Sequence, residues 1–182
     1  MSHEETKKFL DGDKYKVLIT SDEISKKVKE LGAQISDDYL GTCPILIGVL
    51  NGSFIFCSDL FRAIDIDCEV DFIKISSYGD AMETSGKIKL LKNIDAHLNG
   101  RHVLIVEDIV DSGYSVNYLQ RRISLSEPKS LKFVSLLVKE GTQRVPYEID
   151  YIGFKIPNHF VVGYGLDYAQ KYRNLPHIYL ME

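Results

Sequence analysis

Three short apolar runs constrain this chain more than any other feature: PILIGVL (44–50), RHVLIVE (101–107) and SLKFVSLLVK (130–139). Each is nearly continuous in apolar residues rather than alternating. That pattern marks strands covered on both faces, as in a parallel sheet packed between helices. The first run leads into SFIFCSDLFRAI, which reads as a helix. The second leads into a segment where Val116, Leu119 and Ile123 share one helical face. Upstream, KYKVLIT reads as an early strand, and Thr20 with Glu23 matches a capping box. Ile24, Val28, Leu31 and Ile35 then fall on one face of a helix. CEVDFIKISSY and GKIKLLKNI read as two strands around the polar loop GDAMETS, and DYIGFKI supplies a later strand. Strand and helix alternate, so the expected class is α/β, with a mainly parallel sheet flanked by helices. At 182 residues the chain suits a single domain, 1–182. The stretch from about Pro157 onward is aromatic and irregular, and is expected to cap one end of the sheet.

Composition excludes several functions. The net charge is −4, which argues against a broad basic surface and hence against nucleic acid as a partner. No apolar run reaches the length of a membrane span. The first residues, MSHEETKKFLDGDKYK, lack the apolar stretch of a signal peptide. Cys43, Cys57 and Cys68 make an odd count without metal-type spacing, so a cytoplasmic protein with reduced thiols is expected.

The chemistry concentrates in VLIVEDIVDSGYS (103–115). An apolar strand runs into Glu107 and Asp108, and Asp111 opens a small turn with Ser112, Gly113, Tyr114 and Ser115. Parallel sheets bind ligands beyond the carboxyl ends of their strands. Free N–H groups at a helix start, with two hydroxyls, suit a phosphate. The two acids upstream would repel that phosphate. They suit sugar hydroxyls or a divalent cation instead. Together these features describe a ribose 5-phosphate site. The competing reading makes Asp111 and Ser112 a helix cap and the acids solvated turn residues.

This stretch resembles the phosphoribosyl pyrophosphate signature of type I phosphoribosyltransferases. VLNGSFIF (49–56), SSYGD (76–80) and VKEGTQRVPYEIDYIGFKIPNHFVVGYGLDYAQKYRNLPHI (138–178) narrow the resemblance to the hypoxanthine-guanine branch of that family. The resemblance implies the type I phosphoribosyltransferase fold, with a small hood built from terminal segments, largely from about residue 157. It implies purine salvage, in which the phosphoribosyl group moves to N9 of a 6-oxopurine base. Glu107 and Asp108 would hold the ribose hydroxyls, directly or through Mg2+. Asp111 to Ser115 would cradle the 5′-phosphate, and Asp111 would handle a proton at purine N7. Leu50, Asn51 and Gly52 would grip pyrophosphate, with a cis bond before Asn51, and Arg173 would join them. Lys139 would donate to the purine 6-oxo group, Phe160 would stack on the ring and Val161 would meet its edge through the backbone. Asp167, on the purine side, would hold magnesium with the pyrophosphate. Ser77 and Tyr78 would begin a lid. The partners implied are phosphoribosyl pyrophosphate, a 6-oxopurine and further copies of the chain, as a homodimer or homotetramer.

Two other readings differ in class. One is a non-catalytic, RNA-binding regulator on the same fold, which the acidic balance and the intact Asp111 oppose. The other is an enzyme for a different base, such as xanthine or a pyrimidine. Lys139, Phe160 and VVGYGLDY favour a 6-oxopurine over a pyrimidine, but leave hypoxanthine, guanine and xanthine unranked.

Overall fold

The computed structural model describes residues 15–78 and 87–181. Its strands are β1 (Tyr15–Ile19), β2 (Ile45–Leu50), β3 (Glu69–Tyr78), β4 (Lys87–Lys92), β5 (His102–Val110), β6 (Ser130–Lys139), β7 (Tyr151–Ile156), β8 (Phe160–Val162) and β9 (Ile178–Met181). Its helices are α1 (Ser21–Asp38), α2 (Phe54–Ala63) and α3 (Tyr114–Ser124).

The main sheet has the order β4-β3-β2-β5-β6-β7. All its pairs are parallel except β3 with β4, which run antiparallel. The three apolar runs occupy the centre, where neither face meets water. Leu46, Leu104 and Val134 pack with Ile35, Phe56 and Leu60 on the side of α1 and α2. Ile47, Ile105 and Phe133 pack with Val116, Leu119 and Ile123 on the side of α3. Burying one such side chain stabilises by about 1.5–3 kcal/mol. The sequence period therefore fixes both layers: one set of alternate strand residues serves each helix layer. The Thr20–Glu23 capping box forms as expected, with the Thr20 side chain accepting from the Glu23 N–H and the Glu23 carboxylate accepting from the Thr20 N–H.

The two ends of the chain pair with each other. The early strand β1 does not join the main sheet. It pairs antiparallel with β9, which pairs with β8, giving a second sheet of order β1-β9-β8. The stretch after Pro157 thus contains two strands rather than irregular chain alone. FVV and IYLM are too short to announce themselves by period, and their pairing is set by partners far away in sequence. Among the described residues no helix is long and apolar enough to cross a membrane.

Candidate active site

Parallel register brings the chemistry to one edge of the sheet. Leu50, which ends β2, sits opposite Lys74, and Gly48 of the same strand sits opposite Val106. Val110, which ends β5, sits opposite Val138, and Lys139 closes β6. The connections leaving β2, β5 and β6 therefore emerge side by side at the carboxyl end. The Leu50–Asn51 peptide is cis, as the family resemblance implied. Behind it, the Ser53 hydroxyl is buried and donates to Val49 O at 2.7 Å.

Glu107 and Asp108 lie within β5, which continues to Val110; they are not the strand's last residues. The apolar pair Ile109 and Val110 keeps the ladder going, so the acids sit deeper than a solvated turn. Glu107 is 5% exposed, and its Oε1 has no hydrogen-bond partner among the described residues. Burial pushes its carboxyl well above the usual carboxylate range; the Asp108 charge acts in the same direction and a Ser115 hydrogen bond opposes it. Burial also pushes Asp108 up to about 6, against the pull of the Asp108 and Ile109 N–H groups and the Arg173 charge, while Asp167 adds to the rise. A buried acceptor without a partner is costly unless something fills it. Glu107 Oε1 is therefore poised to receive a donor that none of the described residues supplies.

Asp111 follows the strand directly. Its carboxylate pairs with the Lys139 ammonium at 3.1 Å. It does not cap α3: the N-cap position is Gly113, at φ 87°, and no side chain makes the cap hydrogen bond. The helix-cap reading of Asp111 and Ser112 therefore fails. The structure joins Asp111 and Lys139, which the sequence separates by 28 residues.

The segment after β8 closes onto the same edge. A Cβ on Gly165 would lie 2.1 Å from Gly52 O, and a Cβ on Gly52 would lie 1.9 Å from Asp108 Oδ2. Only glycine allows this approach of the 163–167 segment, the Gly52 loop and the acids. Arg173 ties the segment together: it donates to Gly165 O at 2.7 Å and pairs with Asp167 at 2.7 Å. The other Asp167 oxygen accepts from the Gln170 N–H at 2.8 Å. Phe160 is 47% exposed, an open aromatic face that meets Tyr168 edge-on at 5.8 Å. Val161 is buried and pairs with Leu180. Ser77 and Tyr78 end β3, opposite Ile88 and Lys87 in backbone register. Their side chains, and the lid segment 79–86, lie outside the described residues.

Residues 18–169 match the model of the phosphoribosyl transferase domain. The chain belongs to the phosphoribosyltransferase family. Within this family it is 48% identical over 163 residues to the hypoxanthine-guanine phosphoribosyltransferase of Bacillus subtilis, covering 90% of this chain and 91% of that one. It is 46% identical over 173 residues to the bifunctional protein TilS/HprT of Listeria innocua, covering 95% of this chain. The chain spans only 27% of the length of that bifunctional relative. A solved hypoxanthine-guanine phosphoribosyltransferase from Bacillus anthracis superposes with a TM-score of 0.88 at 47% identity, covering 92% of this chain and 98% of that one. The expected α/β phosphoribosyltransferase fold, a mainly parallel sheet flanked by helices, is borne out, and the antiparallel sheet β1-β9-β8 is added to it.

Some residues at this candidate site escaped sequence reasoning. Thr142 donates to Asp111 O at 3.1 Å, and the Tyr147 ring fills the space beside Gly113. Tyr164 donates to Asp59 at 2.7 Å, fastening the 163–167 segment to α2. The glycines of VVGYGLDY signalled a close approach in general, without saying to what. Gly141, two residues after Lys139, signalled a turn back toward the loop.

Proposed function

We propose that this chain salvages purines: it transfers the 5-phosphoribosyl group of phosphoribosyl pyrophosphate to N9 of hypoxanthine or guanine, giving IMP or GMP and pyrophosphate. One observation carries the reading. A carboxylate and an ammonium from two different strand ends, Asp111 and Lys139, meet at 3.1 Å beside the buried Glu107 and the partly buried Asp108. That arrangement supplies a proton handler and a 6-oxo donor beside acceptors for ribose hydroxyls. The relatives bearing hypoxanthine-guanine names support it.

Each residue has a physical task. The Lys139 donor suits a 6-oxo acceptor and rejects the 6-amino donor of adenine. Phe160 offers an apolar platform to the base. Asp111 takes or holds the N7 proton as N9 becomes the nucleophile. Glu107 and Asp108 accept from the ribose hydroxyls as C1′ gains oxocarbenium character. Ser112 to Ser115 hold the 5′-phosphate, while Leu50, Asn51, Gly52 and Arg173 take the pyrophosphate. Ser77 and Tyr78 begin a lid that excludes water from the activated sugar.

Among the described residues no cluster of three or more His, Cys, Asp or Glu could hold a metal ion by itself. Mg2+ bound with substrate needs only one or two carboxylates plus phosphate oxygens. The unpartnered oxygen of Glu107 and the adjacent Asp108 fit that demand, and Asp167 would hold a second position once it turns from Arg173. When bound, magnesium neutralises charge on the departing pyrophosphate. We also read the 182 residues as one catalytic domain whose small sheet is the hood, working in the cytoplasm as a homodimer or homotetramer. The free thiols of Cys43, Cys57 and Cys68 fit a reducing compartment.

The test is a panel of free bases incubated with phosphoribosyl pyrophosphate and magnesium, with and without excess chelator. Product with hypoxanthine or guanine, none with adenine or uracil, and none in chelator is the expected pattern. Turnover of a pyrimidine alone, or full turnover in chelator, refutes the reading.

A further inference from the structure

We propose that the segment from Lys139 to Tyr147 is a strap that aims the phosphate loop, with Thr142 as its positioning residue; this rests on the reading of residues 111–115 as the 5′-phosphate cradle. The loop has little of its own to fix its orientation. It is five residues long, turns through Gly113 at φ 87°, and has no side-chain cap on α3. Its orientation comes from the strap. The buried Thr142 hydroxyl lies 3.1 Å from Asp111 O and 3.3 Å from Lys139 O. The Arg144 and Val145 N–H groups donate to Ser112 O at 3.0 and 3.4 Å. The Tyr147 hydroxyl lies 3.5 Å from Asp111 O, and a Cβ on Gly113 would stand 2.1 Å from the Tyr147 ring.

Peptide planarity turns these contacts into an aiming device. In a trans peptide the N–H points opposite to the C=O of the same unit. Holding Asp111 O and Ser112 O against the strap therefore turns the Ser112 and Gly113 N–H groups to the other side. Neither of those N–H groups has an acceptor among the described residues. Successive N–H groups presented this way form an anion-binding concavity. The same hydroxyl also reaches the carbonyl of Lys139, whose ammonium pairs with Asp111. Thr142 thus ties the Asp111–Lys139 pair to the phosphate loop through backbone carbonyls alone.

The experiment compares wild type, Thr142→Val, Thr142→Ser and Tyr147→Leu by calorimetric titration with ribose 5-phosphate and by steady-state kinetics. Valine keeps the shape and removes the donor; serine keeps the donor. Thr142→Val should raise the Kd for ribose 5-phosphate and the KM for phosphoribosyl pyrophosphate about tenfold, the equivalent of about 1.4 kcal/mol, within the range of one net hydrogen bond. The KM for hypoxanthine should rise less, and Thr142→Ser should stay within about threefold of wild type. A purely structural role predicts a lower Tm with unchanged affinities in the folded fraction, or a serine variant as impaired as the valine one; either overturns the proposal. If Thr142→Val does not fold, Tyr147→Leu decides: a raised ribose 5-phosphate Kd supports the strap, and a wild-type Kd refutes it. A wild type that forms product while Thr142→Val matches its affinities refutes the strap alone. A wild type that neither binds ribose 5-phosphate nor turns over overturns the functional reading, and this proposal with it.

Discussion

Replacing Gly165 with alanine tests how the C-terminal segment serves the site. The new Cβ would lie 2.1 Å from Gly52 O, against a practical minimum of 3.0 Å, so the backbones must part by about 0.9 Å (3.0 − 2.1). The obstacle is a main-chain carbonyl, which no rotamer change relieves. Gly165 also holds φ 99°, where an L side chain is strained by roughly 1–2 kcal/mol. Overpacking adds about 1–3 kcal/mol. The total, about 2–5 kcal/mol, lowers Tm without abolishing a fold whose core strands lie elsewhere. The larger consequence is positional. Gly165 O receives Arg173, and Gly52 borders Asp108, so the shift separates Arg173 and the 163–167 segment from the Gly52 loop and the acids of β5, the groups proposed to hold pyrophosphate and ribose. A misplacement of about 1 Å costs on the order of 10²-fold in rate. We expect kcat/KM for phosphoribosyl pyrophosphate to fall about 100-fold in Gly165→Ala, measured by product formation at a temperature where circular dichroism shows the variant folded. A folded variant within threefold of wild type would falsify the claim that this backbone approach sets the site.

Two further predictions concern charge. Asp108 is raised from 3.8 to about 6 in the folded protein. Between those values the folded state keeps a proton that the unfolded chain has lost, so stability falls as pH rises through the window and levels above it. Asp108→Asn should therefore melt higher than wild type at pH 7.5, with the advantage shrinking toward pH 4.5, while phosphoribosyl pyrophosphate affinity is lost; an advantage that grows on acidification contradicts the burial account. Lys139→Ala should raise the KM for 6-oxopurines far more than that for phosphoribosyl pyrophosphate, by the roughly 1.5–3 kcal/mol of a hydrogen bond from a charged donor. Equal shifts in both constants, or none, remove Lys139 from the base pocket.

Much of this architecture was legible because burial leaves a period. PILIGVL, RHVLIVE and SLKFVSLLVK announced doubly covered strands, and Val116, Leu119 and Ile123 announced the helix above them. The place of Glu107, Asp108 and the 111–115 turn at the carboxyl end of the sheet was legible because parallel sheets place their ligand loops at strand ends. What escaped is long-range. The pairing of β1 with β9 joins residues some 160 positions apart, as Tyr15 with Met181, and nothing local in either segment encodes it. Thr142 and Tyr147 reach the backbone carbonyl of Asp111, 31 and 36 residues upstream, a role that side-chain chemistry in sequence does not advertise. The extent of β5 was misjudged for a related reason: Ile109 and Val110 extend the ladder past two carboxylates, which read in sequence as the strand's end.

Asp111→Asn under single-turnover conditions is the most direct test of the account. Asparagine keeps the shape, and would cap a helix about as well as aspartate does, but it cannot take the purine proton. General acid–base assistance is typically worth roughly 10²–10⁴-fold, so the rate of nucleotide formation should fall within that range. Affinity for phosphoribosyl pyrophosphate and Tm should change little. A single-turnover rate within about threefold of wild type, well short of the acid–base range, contradicts the account and leaves Asp111 as a partner of Lys139 and nothing more.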